Sequence, residues 1–262
     1  MSYETILFEL SEGIARLTLN RPEKLNSFNA QMHAEIREAL LAVASGGARV
    51  LVLTGAGRAF CSGQDLSERI PREGSGRIDV GDTVGKLYNP LVLGLRNLPL
   101  PVIAAVNGVA AGAGANVALA CDLVIAARSA SFVQAFSRIG LLPDCGGTWS
   151  LPRLVGQARA LGLALLAEKL SAEQAAQWGL IWRCVEDQEL AMTVEALAKQ
   201  LASGPTRCFA RTKQAMYATW GNSLQAQLDV ERDFQRELAA GDDFIEGVTA
   251  FMEKRAPRFS GR

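Results

Sequence analysis

Two stretches of the chain, AFCSGQDL (Ala59 to Leu66) and NGVAAGAGAN (Asn107 to Asn116), offer bare backbone where most catalytic sites offer side chains. Each follows a strand-like apolar run, VLVLTGAG and PVIAAV, and each leads into a helix pattern. A tight crossing rich in Gly and Ala leaves the first amides of a helix unpaired and approachable. Two such amides converging from separate loops would cradle a developing oxyanion, which is carbonyl chemistry. Taken singly, either loop could equally use its glycines for close helix–sheet packing, because a lone Gly-rich turn specifies little. The acid–base candidate is Asp144, a carboxylate in the otherwise apolar and Gly-rich IGLLPDCGGTW. Desolvated there, it would titrate above its usual range, toward the region useful for general acid–base work. Its rival role is to N-cap the helix running through Trp149 and Leu151. Asp65 and Asp122 are the competing acids, the first placed to cap a helix start and the second to begin a strand.

Nucleophilic and metal chemistry have little to work with. The only histidine, His33, lies on QMHAEIREALLAV, where Met32, Ile36, Leu40 and Val43 form the apolar stripe and His33 is expected to face solvent. The five cysteines are scattered, odd in number and without a CxxC pair, which argues against a disulfide framework or a zinc site. No metal is implied. GAGANV lacks the third glycine of a dinucleotide fingerprint, and no P-loop lysine follows GAGRAF.

The elements that must position these groups alternate between strand and helix over the first two-thirds of the chain. TILFEL, IARLTL, RVLVLTG, PVIAAV and DLVIAA read as strands, with helices from Ser27 to about Ala44, from Asp82 to Leu98 and from near Ala113. This alternation implies βαβ units and a parallel sheet with ligands at the strands' carboxyl ends. After Gly146 the pattern is mainly helical. Ser171 caps a helix closed by Gly179, IWRCVE is a short strand, and helices follow over 188–202, 205–220, 223–239 and 242–255. The stretch PREGSGRIDVGDTV (Pro71 to Val84) has loop composition and reads either as a mobile wall of the substrate site or as a plain surface loop.

The chain has 262 residues, 49% of them hydrophobic and 21% charged, as in a soluble globular protein. Lys plus Arg equals Asp plus Glu at 27 each, so no net charge draws the chain to nucleic acid or a membrane surface, although RTKQ and MEKRAPR are local basic clusters. No apolar window approaches a bilayer span and MSYETILFEL does not read as a signal peptide, so a cytoplasmic location is expected.

The two Gly-rich loops, their order and their spacing resemble the enoyl-CoA hydratase/isomerase (crotonase) superfamily. The similarity runs from LTLNRPEKLNSFN through LTGAGRAFCSGQDL, PVIAAVNGVAAGAGANVALACDLVIAA, FVQAFSRIGLLPDCGGTWSLPRLVG and SAEQAAQWGLIWRCVE to FMEKRAPRF. FSRIGL and PDCGGTW are most similar to the branch that rearranges the ring epoxide of phenylacetyl-CoA. The resemblance implies an α/β spiral of ββα turns, with a core and acyl-CoA site over residues 1–200. A C-terminal helical region over 201–262 would pack on the core and on a neighbouring subunit of a homotrimer or homohexamer. It implies an acyl-CoA substrate and no cofactor.

By the same resemblance, the backbone amides of Gln64 and Ala113 form the oxyanion cradle, with Gly63, Leu66 and Gly112 beside them. Lys24, Leu25, Ala59 and Asp65 fall at substrate-binding positions, and Phe251 and Lys254 reach CoA from a neighbouring subunit. Phe136 and Trp149 are candidate pocket walls, and either could instead be core. Hydratases of the superfamily carry two glutamates where this chain has Asn116 and Phe136, so hydration is poorly supported and Asn116 is left as a neutral orienter of Asp144 or of substrate, or a plain helix residue. The superfamily's isomerases carry an acid at or near Asp144. The expected activity is therefore isomerisation of ring 1,2-epoxyphenylacetyl-CoA, or of a 3-enoyl-CoA, with Asp144 as the acid–base. The rivals are an enoyl-CoA hydratase, a dehalogenase or thioesterase using Asp144 as nucleophile, and an RNA-binding homologue.

Overall fold

The computed structural model of the chain describes residues 3–69 and 79–262. The hairpin of β1 (Ile6–Ser11) and β2 (Ile14–Leu19) leads through α1 (Ala30–Ser45) to β3 (Val50–Gly55), which pairs parallel to β2. From there the chain repeats one device, a long strand followed within a few residues by a short one. The pairs are β3 with β4 (Ala59–Cys61), β5 (Val102–Val106) with β6 (Val109–Ala111), and β7 (Leu123–Ala127) with β8 (Ser131–Val133). Helical segments close each turn: α2 (Val80–Thr83), a π-helical turn Val84–Tyr88 and α3 (Asn89–Asn97) after β4; α4 (Ala113–Leu119) after β6; α5 (Gly147–Val155) and α6 (Gln157–Leu166) after β8. β9 (Lys169–Ser171), α7 (Ala172–Gln177) and β10 (Arg183–Val185) complete the core.

The long strands and the three-residue β10 form a six-stranded sheet in the order β1-β2-β3-β5-β7-β10, antiparallel only at β1. The short strands form a four-stranded sheet, β4-β6-β8-β9, antiparallel only at β9. This is the expected spiral of ββα turns. The second sheet corrects one expectation. The two Gly-rich loops leave the carboxyl ends of β4 and β6, not those of the long strands before them.

Strands β3, β5 and β7 are buried on both faces, which is why they read as continuous apolar runs. Helix α8 (Leu190–Ser203) lies across them, burying Leu190, Val194, Ala198 and Ala202. Helices α9 (Thr206–Ala218), α10 (Leu224–Ala239) and α11 (Asp242–Met252) follow. Lys213 of α9 is sunk onto the core, donating to Asp122 Oδ2 (2.8 Å) and to the Leu100 carbonyl (3.2 Å), while Tyr217 donates to the other Asp122 oxygen. Asp122 is thus a structural anchor. Arg49 ties the C-terminal tail down through the carbonyls of Gly204 (2.5 Å) and Phe259 (3.1 Å).

The expected helix from Ser27 begins at Ala30 instead, because Asn29 caps it by accepting from the Met32 amide at 2.9 Å. Of the expected loop Pro71 to Val84, residues 71–78 lie outside the described residues. Its remainder is helical, α2 being capped by Asp79. No helix among the described residues is long and apolar enough to cross a membrane.

Candidate active site

Three loops leave the carboxyl ends of the parallel strands β4, β6 and β8, and all three line one cavity of about 430 Å³. They contribute Ser62, Gly63 and Gln64; Gly112 and Ala113; and Ala135 and Phe136. Leu66, Val80, Val84, Tyr88, Ile139, Leu141 and Asp144 close the lining. Among the described residues Asp144 is the one charged group that lines it, and the rest of that lining is mostly apolar, which suits an apolar acyl group.

The first two loops touch. A Cβ placed on Gly63 would lie 2.9 Å from the Ala111 carbonyl oxygen and 3.5 Å from the Ala113 nitrogen, and its φ of +94° lies in the region that favours glycine. Close packing, the other use proposed for these glycines, also occurs: a Cβ on Gly114 would meet Cys61 at 2.3 Å. Ala113 opens α4, where the first amides have no acceptor within the helix. Residue Gln64 makes a parallel bridge with Phe28, in which the Phe28 amide donates to Gly63 O (2.7 Å) and the Asp65 amide donates to Phe28 O (2.8 Å). Alternation along an extended strand turns the Gln64 amide to the opposite side from Phe28.

The Gln64 side chain is held as well. Its Nε2 donates to Phe28 O at 3.1 Å, and Tyr88 Oη donates to its Oε1 at 2.7 Å. The Tyr88 ring meets Phe28 and His33 edge-on, at centroid distances of 5.8 and 4.5 Å, and Phe28 stacks on His33 at 5.2 Å. His33 is therefore buried, not turned to solvent as expected. Helix α1 is covered over an arc wider than its aliphatic stripe, because the π-helical turn ending at Tyr88 packs over it.

Asp144 sits just before α5. That helix is capped by Gly146 without a side-chain hydrogen bond, and Gly147 N donates to the main-chain oxygen of Asp144 at 2.8 Å. The side-chain cap proposed for Asp144 is not formed, and its carboxylate is among the groups lining the cavity. Its Oδ1 is shielded from solvent. Asn116, fully buried on α4, donates from Nδ2 to the same Asp144 carbonyl at 2.8 Å and accepts from Gln134 Nε2 at 2.9 Å. Phe136 is buried beside Gly112.

The remaining candidates are dispersed. Lys24 and Leu25 lie at the rim, where the Ser62 amide donates to Leu25 O (3.0 Å), and the Lys24 side chain is exposed. Ala59 is buried within β4 and does not reach the cavity. Asp65 does not face it either: its carboxylate accepts from Arg21 Nη2 (2.9 Å) and from the Ser67 amide and hydroxyl (3.1 and 2.6 Å). Trp149 is no pocket wall, since its ring packs with the guanidinium groups of Arg96 (4.9 Å) and Arg153 (4.3 Å). Within one chain, Phe251 and Lys254 are far along the exposed C-terminal end, Phe251 lining a different cavity with α9 and α10 residues.

The thiols near the site are poor nucleophiles. Burial pushes Cys61 up to about 12, against the pull of its hydrogen bond with the Gly63 backbone, and burial followed by the neighbouring Asp144 charge raises Cys145. Among the described residues no cluster of His, Cys, Asp and Glu could hold a metal ion. Tyr88, Gln134 and Arg21 were missed in the sequence. Only Tyr88 carried a signal, as a lone aromatic in a helix pattern.

A paired-sheet ββα spiral with backbone-lined loops meeting one carboxylate defines the class, and the comparisons agree. The enoyl-CoA hydratase/isomerase family matches residues 9–262, and the chain belongs to that family. The 1,2-epoxyphenylacetyl-CoA isomerase of Escherichia coli (strain K12) is 55% identical over 260 residues, covering 99% of each chain. The "Probable enoyl-CoA hydratase" of Rhodobacter capsulatus is also 55% identical, over 262 residues and 100% of each chain. Among solved structures, an enoyl-CoA hydratase from Bacillus anthracis superposes with a TM-score of 0.92 at 32% identity, covering 99% of this chain and 100% of that one.

Proposed function

We propose that the protein is an acyl-CoA isomerase that works with one acid–base residue, converting ring 1,2-epoxyphenylacetyl-CoA to the oxepin thioester or moving a 3-enoyl-CoA double bond to the 2-position. The observation that carries this reading is that Asp144 is the only carboxylate, among the described residues, in the cavity that also holds Gln64 and Ala113. The whole-length similarity to a 1,2-epoxyphenylacetyl-CoA isomerase supports the substrate class.

In this reading the thioester oxygen lies between the amides of Gln64 and Ala113. Asp144 takes the proton from the carbon next to the thioester, and the amides hold the resulting enolate oxygen. The same proton then returns further along the acyl chain, so the reaction is balanced without an oxidant, reductant or cofactor. On this reading the thioester of the ring-epoxide substrate is anchored in the same way, and the Asp144 carboxyl assists epoxide opening. By the resemblance, hydratases of the superfamily handle water with two glutamates at positions 116 and 136. Asn116 has both ends of its amide committed to protein partners and Phe136 is apolar, so neither can share that work.

Lys24, exposed at the rim, suits a CoA phosphate as a flexible point cation. Phe251 and Lys254 would add CoA contacts from a neighbouring subunit. The exposed Leu224, Phe244, Ile245 and Met252 on α10 and α11 are compatible with burial in a homotrimer or homohexamer.

The test is turnover of ring 1,2-epoxyphenylacetyl-CoA and of a 3-enoyl-CoA by the wild type and by Asp144→Asn. Conversion that falls by about 10²–10⁴ in the variant supports the reading. Hydration of crotonyl-CoA that survives Asp144→Asn would replace it with a hydratase.

A further inference from the structure

The loop that carries Gln64 is clamped along its length by the segment 21–29. Three of the contacts are between main-chain groups: the Ser62 amide to Leu25 O (3.0 Å), the Phe28 amide to Gly63 O (2.7 Å), and the Asp65 amide to Phe28 O (2.8 Å). The segment making them is itself in a conformation that side chains resist, with φ of 50° at Leu25 and 57° at Asn26. Asn26 holds one end of it, accepting from the Arg21 amide (2.9 Å) and donating to the carbonyls of Ala56 (2.9 Å) and Ala59 (2.8 Å). The other end depends on Arg21. Its Nη1 donates to the Ser27 carbonyl at 2.7 Å and its Nη2 to Asp65 Oδ2 at 2.9 Å.

We propose that the Arg21–Asp65 ion pair positions the oxyanion cradle, locking the Gln64 loop onto the 21–29 segment so that the Gln64 amide is aimed before substrate arrives. The inference rests on the reading of that amide as an oxyanion donor. Arg21 and Asp65 are positioning residues, since neither lines the cavity and they act through Gln64.

The geometry of the pair suits this task. The two side chains are 14% and 9% exposed, so solvent screens them little. Both Asp65 oxygens are engaged within the protein, Oδ1 by the Ser67 amide and hydroxyl and Oδ2 by Arg21. A guanidinium reaches the Ser27 carbonyl and the Asp65 carboxylate with two nitrogens of one rigid plane, which a lysine cannot do. A buried ion pair is seldom a strong source of stability. What it supplies here is a fixed distance between two segments 44 residues apart.

The experiment is difference infrared spectroscopy of phenylacetyl-CoA labelled with ¹³C at the thioester carbonyl, bound to the wild type and to Arg21→Lys, Arg21→Met and Asp65→Asn. In the wild type the carbonyl band moves to lower frequency on binding. In Arg21→Met and Asp65→Asn it returns toward the free value, and kcat falls by up to about a hundredfold, the scale of a 1 Å misplacement, while Kd for the thioester changes little. Arg21→Lys keeps the cation and its stem and shows the same loss in part, so it decides the matter if Arg21→Met does not fold. Bands that move as far in all three variants as in the wild type overturn the proposal. A wild-type band that does not move on binding overturns instead the cradle on which it rests.

Discussion

Asn116 Nδ2 donates to the main-chain carbonyl of Asp144 at 2.8 Å, from a helix that starts at Ala113 in the Gly-rich loop. One short helix therefore carries both an amide proposed for the oxyanion and the side chain that sets where the acid begins. Its Oδ1 accepts from Gln134 Nε2 at 2.9 Å, so a neutral amide is the group this site needs, a donor on one side and an acceptor on the other. A carboxylate at position 116 would keep the Gln134 contact and face the Asp144 carbonyl without a proton to share. Asn116→Asp is expected to lower kcat about 10- to 100-fold by displacing Asp144. It should also cost roughly 1–3 kcal/mol of stability in urea unfolding. It should not create hydration of crotonyl-CoA, and appearance of that activity would show that position 116 alone decides the reaction.

Gly63 makes a second prediction, on the opposite wall. Its φ of +94° and the 2.9 Å approach of the Ala111 carbonyl leave no room for a methyl group. Gly63→Ala must push the two loops apart, and the Gln64 and Ala113 amides with them. Steady-state kinetics should show kcat reduced by about 10²–10³, as for loss of one oxyanion donor, with a smaller change in KM. A rise in KM with kcat unchanged would mean that the loop serves ground-state binding.

Tyr88 tests whether the Gln64 side chain matters as well as its backbone. Tyr88→Phe deletes the hydroxyl that donates to Gln64 Oε1 at 2.7 Å and leaves the ring contacts with Phe28 and His33 in place. The loss of one hydrogen bond is worth about 1 kcal/mol, so a fall in kcat of roughly fivefold with little change in thermal midpoint is expected. Unchanged kcat would confine the role of Tyr88 to packing.

What could be read in advance was chemistry carried by consecutive residues. The CSGQ and AAGAG loops, Asp144 in its small-residue setting and the non-acidic residues at 116 and 136 are each local. The long strands were visible because continuous burial writes itself as apolar runs. The four strands of the second sheet were not, because each is three residues long and three of them are embedded in Gly- and Ala-rich or loop-like sequence. The equally short β10 stands out within the apolar IWRCVE. His33 was misplaced because an aliphatic stripe marks the centre of a buried face and not its edges, here covered by Phe28 and Tyr88. Trp149 reads from sequence as a pocket wall or as core, and in the fold its ring packs against Arg96 and Arg153. Arg21 and Asp65 sit in different turns of the spiral, and nothing in either segment names the other.

Glu35 gives a prediction about stability and pH, away from the site. Its carboxylate accepts from the Thr5 hydroxyl (2.5 Å), the Thr5 amide (2.8 Å), the Glu4 amide (2.9 Å) and Gln31 Nε2 (2.9 Å), fastening the start of β1 to α1. Burial by itself would raise this carboxyl, but the hydrogen bonds, led by that of Thr5, outweigh it and hold it at about 2, below the ordinary 4.5. In the unfolded chain the group takes up its proton near 4.5, so between there and about 2 the unfolded state binds more protons than the native one. The stabilisation is thus complete above that window and is lost as the pH falls through it. Glu35→Gln should be less stable than the wild type at neutral pH by roughly 1.5–3 kcal/mol, the scale of hydrogen bonds to a charged group. Urea unfolding of the two proteins at stepped pH should show the gap closing as the window is crossed. A gap that stays constant would mean that the shape of the contact matters and its charge does not.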